Sequence, residues 1–237
     1  MACSFYLQST ILNEKYKLFT QLNPEQLKQK QAFCNVLVRY VPHLAVEYCA
    51  ELVIFHKINL LVEKERKTKY GDYSPHNGKG NRISINYNLS KFDFLITFIH
   101  ELAHHTTFVK YGNRHDPHGE EWKNEFQRNM IPFFEHETLF PSDLKAAIAR
   151  HMRNPKYTHS ADVKLLQVLK KYDERKANIT VLADLPNGTL FKMKGFDDVL
   201  KKIEKLRTYI LCETLSNKKY RVHAMVEVTL VENQTNK

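Results

Sequence analysis

Apolar positions recur at three- and four-residue intervals from about Pro24 to His56. Leu27, Phe33, Val36, Leu37 and Tyr40 form one run, Pro42 interrupts it, and Leu44 to Phe55 resumes it. That spacing predicts two helices broken at the proline. Ile58 to Val62 is a short branched run suited to a buried strand. The stretch from Lys64 through Gly71, Pro75, Gly78 and Gly80 is basic and glycine-bearing, and predicts a hairpin or surface loop. Residues Asn81 to Tyr87 then alternate polar and apolar side chains with period two, as in a half-buried strand.

Ser90, with Asp93 three residues on, makes a capping box for a strongly apolar helix from Phe92 to about Tyr111, with Gly112 as its C-terminal cap. Asp116-Pro117 predicts the start of a second helix, with Asp at the N-cap, Pro at the first helical position, and Glu120 and Glu121 in the first turn. Pro132 is expected to close it. Further helices are predicted at Pro141–Met152 and Ser160–Tyr172. From about Ala177 the texture changes: Asn187-Gly188 and Asn217 mark turns, and Arg207–Leu211 and Tyr220–Val231 read as strands. The expected class is therefore α+β, with a helical and strand-bearing region at 1–175 and a small β-rich module at 176–237.

Composition narrows the field. The 237 residues are 43% hydrophobic and 26% charged, ordinary for a globular chain. No run approaches the ~18 apolar residues of a membrane-spanning helix, so no membrane association is expected. Met1 to Lys17 lacks a basic head followed by an apolar run, so no secretory leader is expected either. Cys3, Cys34, Cys49 and Cys212 are scattered without a CxxC pair, which argues against a cysteine zinc site and a disulfide framework. A reduced, cytoplasmic protein is the expectation.

The net charge is +10 and is unevenly placed. Residues 1–150 carry 19 Lys and Arg against 16 Asp and Glu, whereas residues 151–237 carry 17 against 10. The excess serves solubility or attracts a polyanion such as nucleic acid. Lys201, Lys202, Lys205 and Arg207, with Tyr209 and Tyr220 nearby, mix basic and aromatic groups as single-strand binders do. A basic face with tyrosines packed beneath it has the same composition. Lys64 to Tyr70 reads as a solvated charge run, with phosphate contact as the alternative.

Inside the apolar helix stands His100-Glu101-Leu102-Ala103-His104, an HExxH sequence. Residues i and i+4 share a helix face about 6 Å apart, so both imidazoles can bind one cation. Glu101 is rotated about 100° from His100 and can reach a metal-polarised water without being a ligand. That is the arrangement for metal-assisted hydrolysis. The helix is too apolar to lie on the surface, so these polar groups need partners.

A catalytic zinc takes a third protein ligand. His105 is rotated off the shared face and reads as a supporting or solvent group. His115 lies in the loop before the second helix. His118 precedes Trp122 by four residues and Phe126 by eight, and so shares their inward face. His118 is the preferred third ligand and His115 the alternative. Tyr87, Tyr111 and His136 are further candidates to assist at the site.

HExxH followed by His118-Gly119-Glu120-Glu121-Trp122 resembles the SprT-like (Spartan-type) zinc metallopeptidase family, whose pattern is HExxH, a short loop, then HGxx and an aromatic residue. The Arg82–Tyr87 strand and the asparagine–leucine lead-in to the helix are also similar, and the likeness spans roughly residues 44–152. It implies a minimal zinc-protease fold, a few helices around Zn2+ and a small sheet whose edge binds extended peptide. By that likeness His100, His104 and His118 are ligands and Glu101 is the general base. Many family members end in a cysteine zinc ribbon. Residues 177–237 hold only Cys212, so no such ribbon forms here.

The expected function is a zinc-dependent endopeptidase acting on protein or peptide, with Arg82–Tyr87 pairing to the substrate backbone. The family likeness adds DNA-associated proteins as targets, reached through the basic C-terminal region. The alternative is a nucleic-acid-associated binding protein whose metal site is structural. A metallohydrolase acting on small molecules is a third reading.

Overall fold

The two early helices form where the apolar spacing places them. The computed structural model describes residues 22–66, 68–75, 80–156, 162–173, 175 and 179–231. Helix α1 (Pro24–Leu37) starts on a full capping box between Asn23 and Gln26. A 3-10 turn at His43–Ala45 follows Pro42 and leads into α2 (Val46–Phe55). Lys30 bridges Glu47 at 3.2 Å and the buried Glu51 at 2.8 Å, tying α1 to α2.

A three-stranded sheet comes next: β1 (Ile58–Glu63), β2 (Gly71–Ser74) and β3 (Asn81–Asn86), in the order β1-β3-β2. β1 runs parallel to β3, and β2 runs antiparallel to it. The alternating strand is therefore the centre of the sheet, with partners on both sides. This overturns Arg82–Tyr87 as the substrate-pairing strand, because its backbone groups already serve the two ladders. The open edge near the long helix belongs to β2, inside the segment expected to be a hairpin or loop.

That long helix is α3 (Lys91–Tyr111). It is capped by Ser90, whose hydroxyl accepts from the Asp93 N–H at 3.2 Å, and ends at Gly112 with φ 67°. Every residue from Phe94 to Ala103 is buried, because β2 and β3 cover one side and α4 (Glu120–Glu135) the other. Two expectations for α4 fail. Its N-cap is Gly119, while Asp116 to Gly119 forms a turn closed by the Gly119 N–H on Asp116 C=O at 3.0 Å. Pro132 lies inside the helix, where burial of Met130, Pro132 and Phe133 offsets the bond it cannot donate. α5 (Ser142–Met152) completes this part.

Contacts divide the chain into residues 1–159 and 160–237. The division falls earlier than the expected 175/176 boundary because α6 (Val163–Lys171) contributes Val163 to the second core. Asp162 caps α6, and Ser160, the expected start, lies outside the described residues. The second unit is a five-stranded antiparallel sheet: β4 (Leu190–Met193), β5 (Phe196–Lys205), β6 (Tyr209–Thr214), β7 (Lys219–His223) and β8 (Val228–Leu230), in the order β7-β6-β5-β4-β8. The single strand expected over Tyr220–Val231 is two strands separated by a turn at 224–225. Among the described residues no helix is long and apolar enough to cross a membrane.

Lys202 faces inward from β5, 4% exposed, and its ammonium donates to the carbonyls of Leu182, Ala183 and Leu185. It is thus no part of a basic surface. Lys202→Met takes the ammonium from all three carbonyls, leaving Leu182 C=O only the Leu185 N–H at 3.4 Å, and is expected to destabilise the second unit by about 2–3 kcal/mol. Faster amide exchange confined to β5 and β6 of the full chain checks this.

Candidate metal centre

α3 presents polar groups on two adjacent faces. His100 and His104 point toward α4. Thr97, Glu101 and His105, spaced i, i+4, i+8, point toward β2. His118 arrives from the turn just before α4, so it lies outside the helix proper.

The His100 Nε2 atom lies 3.2 Å from His104 Nε2 and 3.3 Å from His118 Nε2. One ligand atom from each of the three lies within 4.8 Å of the others, and His100, His104 and His118 are the group the described residues offer for a metal ion. Zn–N bonds of about 2.0–2.1 Å in a tetrahedral shell separate nitrogens by roughly 3.3–3.4 Å. The donor set and its spacing therefore fit zinc. Burial, together with the neighbouring His118 and His115, holds the His104 pKa down at about 3, and burial lowers His118. Both imidazoles are neutral at pH 7, the form that binds metal.

Trp122 is fully buried and packs on all three rings, at centroid distances of 4.7 Å to His100, 5.5 Å to His104 and 4.8 Å to His118. Phe126 stacks behind it at 5.4 Å. The face shared by His118, Trp122 and Phe126 is thus the inward one expected from their spacing. His115 is half-buried, with Nδ1 3.1 Å from the carbonyl of Asp116, and is not among the converging donors.

Glu101 is 6% exposed. Burial first, then the charge of Asp72, push its pKa up to about 8, against the pull of Arg66, Lys69 and a hydrogen bond from the Tyr73 backbone N–H. A carboxyl poised near neutrality beside a metal-binding triad can accept and return a proton.

The remaining candidates sort differently. His105 is not a solvent group: it is 2% exposed and packs on Tyr73 at 5.6 Å and His56 at 5.0 Å. His136 is buried at the end of α4, its Nδ1 accepting from the Thr138 N–H, while Tyr87 is exposed and Tyr111 lies under Lys110. Within the charge run, Arg66 is drawn onto the sheet, donating to Asn86 Oδ1 at 2.8 Å and Ser84 Oγ at 2.9 Å. Lys69 pairs with Asp72 at 2.7 Å. In the second unit Lys201, Lys205, Arg207 and Tyr209 are exposed, whereas Tyr220 packs edge-on to Phe196. Sequence reasoning missed Gly71, Asp72 and Tyr73, since a four-residue strand with no apolar alternation gives no periodic signal.

The fold and site define an α+β domain built around a candidate three-histidine metal centre. Residues 38–138 match the model of the SprT-like family. No curated protein and no solved structure matches the chain.

Two outcomes follow from this geometry. His118→Ala is expected to abolish tight Zn2+ binding, while His115→Ala leaves it within about threefold, as read by competition with a chromophoric chelator. His56 and His105 are held near pKa 4 by burial, against about 6.5 in the unfolded chain. Their contribution to stability is whole above pH 6.5 and lost as pH falls toward 4. The Tm of the metal-free protein should drop over that window, and less steeply in His56→Phe.

Proposed function

We propose that the chain is a zinc-dependent endopeptidase. The observation that carries this reading is the convergence of three imidazole nitrogens beside a buried carboxyl with a raised pKa, under an open strand edge. Zn2+ held by His100, His104 and His118 would polarise a scissile carbonyl and acidify the attacking water. Glu101 takes that water's proton on its carboxylate and returns it to the leaving amine nitrogen.

An extended peptide adds to β2 rather than to the central strand. In β2 the backbone groups of Gly71 and Tyr73 alternate away from β3, and main-chain pairing there brings a peptide bond alongside Glu101. Peptide is favoured over a small molecule because an edge strand recognises backbone. The exposed Lys201, Lys205 and Arg207 of the second unit support association with nucleic acid and hence action on DNA-associated proteins. The same residues favour the second reading, a nucleic-acid-binding protein with a structural metal.

The test compares wild type and Glu101→Gln on a disordered protein, free and DNA-bound, with and without chelator. Glu101→Gln should lose about 10²–10⁴-fold in cleavage while keeping its zinc. Salt-sensitive DNA binding without chelator-sensitive cleavage supports the second reading instead.

A further inference from the structure

We propose that Gly71 is a positioning residue for Glu101, and that β2 holds this carboxylate in place as well as offering an edge to substrate. The inference rests on the reading of Glu101 as the proton acceptor.

The first observation is a close approach. A Cβ placed on Gly71 would lie 2.6 Å from Glu101 Oε1, 2.7 Å from Thr97 Cγ2 and 2.8 Å from Glu101 Cγ. No side chain fits there without moving the strand, the carboxylate or both. Gly71 is needed for proximity and not for an unusual backbone angle, since its φ lies outside the left-handed region.

The second observation is the direction of the strand's backbone groups. The Asn86 N–H donates to Tyr70 C=O at 2.9 Å, and Asp72 and Ser74 pair with Ser84 and Arg82. In an antiparallel ladder bonded residues alternate, so Tyr70, Asp72 and Ser74 face β3, while Gly71 and Tyr73 face the open edge. The Tyr73 N–H on that edge is among the groups that lower the pKa of the Glu101 carboxyl, against the burial that raises it. Gly71 and the Tyr73 carbonyl remain for main-chain pairing.

The third observation is an anchor that fixes β2 over α3. The Tyr73 ring packs on His105 at 5.6 Å and Phe108 at 6.2 Å, and its hydroxyl donates to Asn81 Oδ1 at 3.0 Å. His56 supports His105 from behind. Tyr73 thus sets the register of the strand, Gly71 sets its distance, and Glu101 receives a donor from it.

The test uses the full chain in three forms: wild type, Gly71→Ala and Glu101→Gln, with the double variant as the fourth. Gly71→Ala is expected to lower kcat on a disordered protein by about 10²-fold, with Zn2+ affinity within about twofold. In the Glu101→Gln background it should cause no further loss, because both changes act through one carboxylate. A second readout needs neither activity nor a Gly71 variant. The Tyr73 amide proton in a 15N-labelled chain should shift in Glu101→Gln, because the substituted group lies against β2.

An unchanged Tyr73 amide, or losses that multiply in the double variant, would overturn the proposal. Wild type that cleaves nothing overturns the protease reading alone, since the Tyr73–Glu101 coupling is still read by the amide shift.

Discussion

The structure turns on one constraint: α3 is buried on every side from Phe94 to Ala103 and yet carries His100 and Glu101 within that stretch. Apolar cover on both flanks is what makes the helix stable. The same cover makes any charge on it costly, because a buried ion loses its hydration. Burial answers that cost by favouring neutral forms: the pKa values of His104 and His105 go down and that of Glu101 goes up. Neutral imidazole is the form that binds a cation, and a carboxyl displaced toward neutrality is ready to exchange a proton.

The division of labour between the helix faces follows from 3.6 residues per turn. His100 and His104 share the face that α4 covers, and α4 is held there by more than apolar packing. Buried Glu125 receives Lys110 at 3.1 Å, and Asn129 donates to Thr106 at 3.1 Å, so α4 cannot slide along α3 without breaking polar contacts. That lock fixes where the turn before α4 delivers His118. Glu101 lies one residue further round, under the sheet. His100, His104 and Glu101 thus all hang from α3, with α4 and the turn before it backing the imidazoles and β2 backing the carboxyl.

Much of this was legible in the chain. The HExxH spacing put His100 and His104 on one face because helix periodicity converts sequence distance directly into direction; His118 meets them from the turn before α4, not from the helical first turn expected for it. The capping residues of α3 were legible for the same local reason. What escaped was set by tertiary contact. Asp116-Pro117 has the local chemistry of a helix start, but the chain turns there so that His118 can reach His100. Pro132 has the chemistry of a helix end, but its neighbours Met130 and Phe133 are core residues and carry the helix past it. β5 was missed because Lys202, inward and bonded to three carbonyls, stands where an apolar residue would have completed the alternation. The alternating strand at Asn81–Asn86 was found but misassigned to the edge. Periodicity reports which face of a strand is buried and is silent on which strands flank it.

The inward turn of Lys202 also changes what the +10 charge means. Counting residues overstates the basic surface of the second unit by this lysine, which acts inside the fold as a clamp on the Leu182–Leu185 turn. Lys201 remains outward, yet it is paired in register with Glu213, which in turn is paired with Lys219. Alternating signs across neighbouring strands stabilise the sheet surface and dilute its field. Lys192, Lys205 and Arg221 face Thr229, Ile210 and Leu211 and stay unopposed across the sheet, and Lys205 with Arg207 lies at the end of β5 and the turn after it, beside exposed Tyr209. That corner is where exposed cations and an exposed aromatic ring stand together. Pairing in register therefore neutralises only part of the charge that the residue count assigns to this unit.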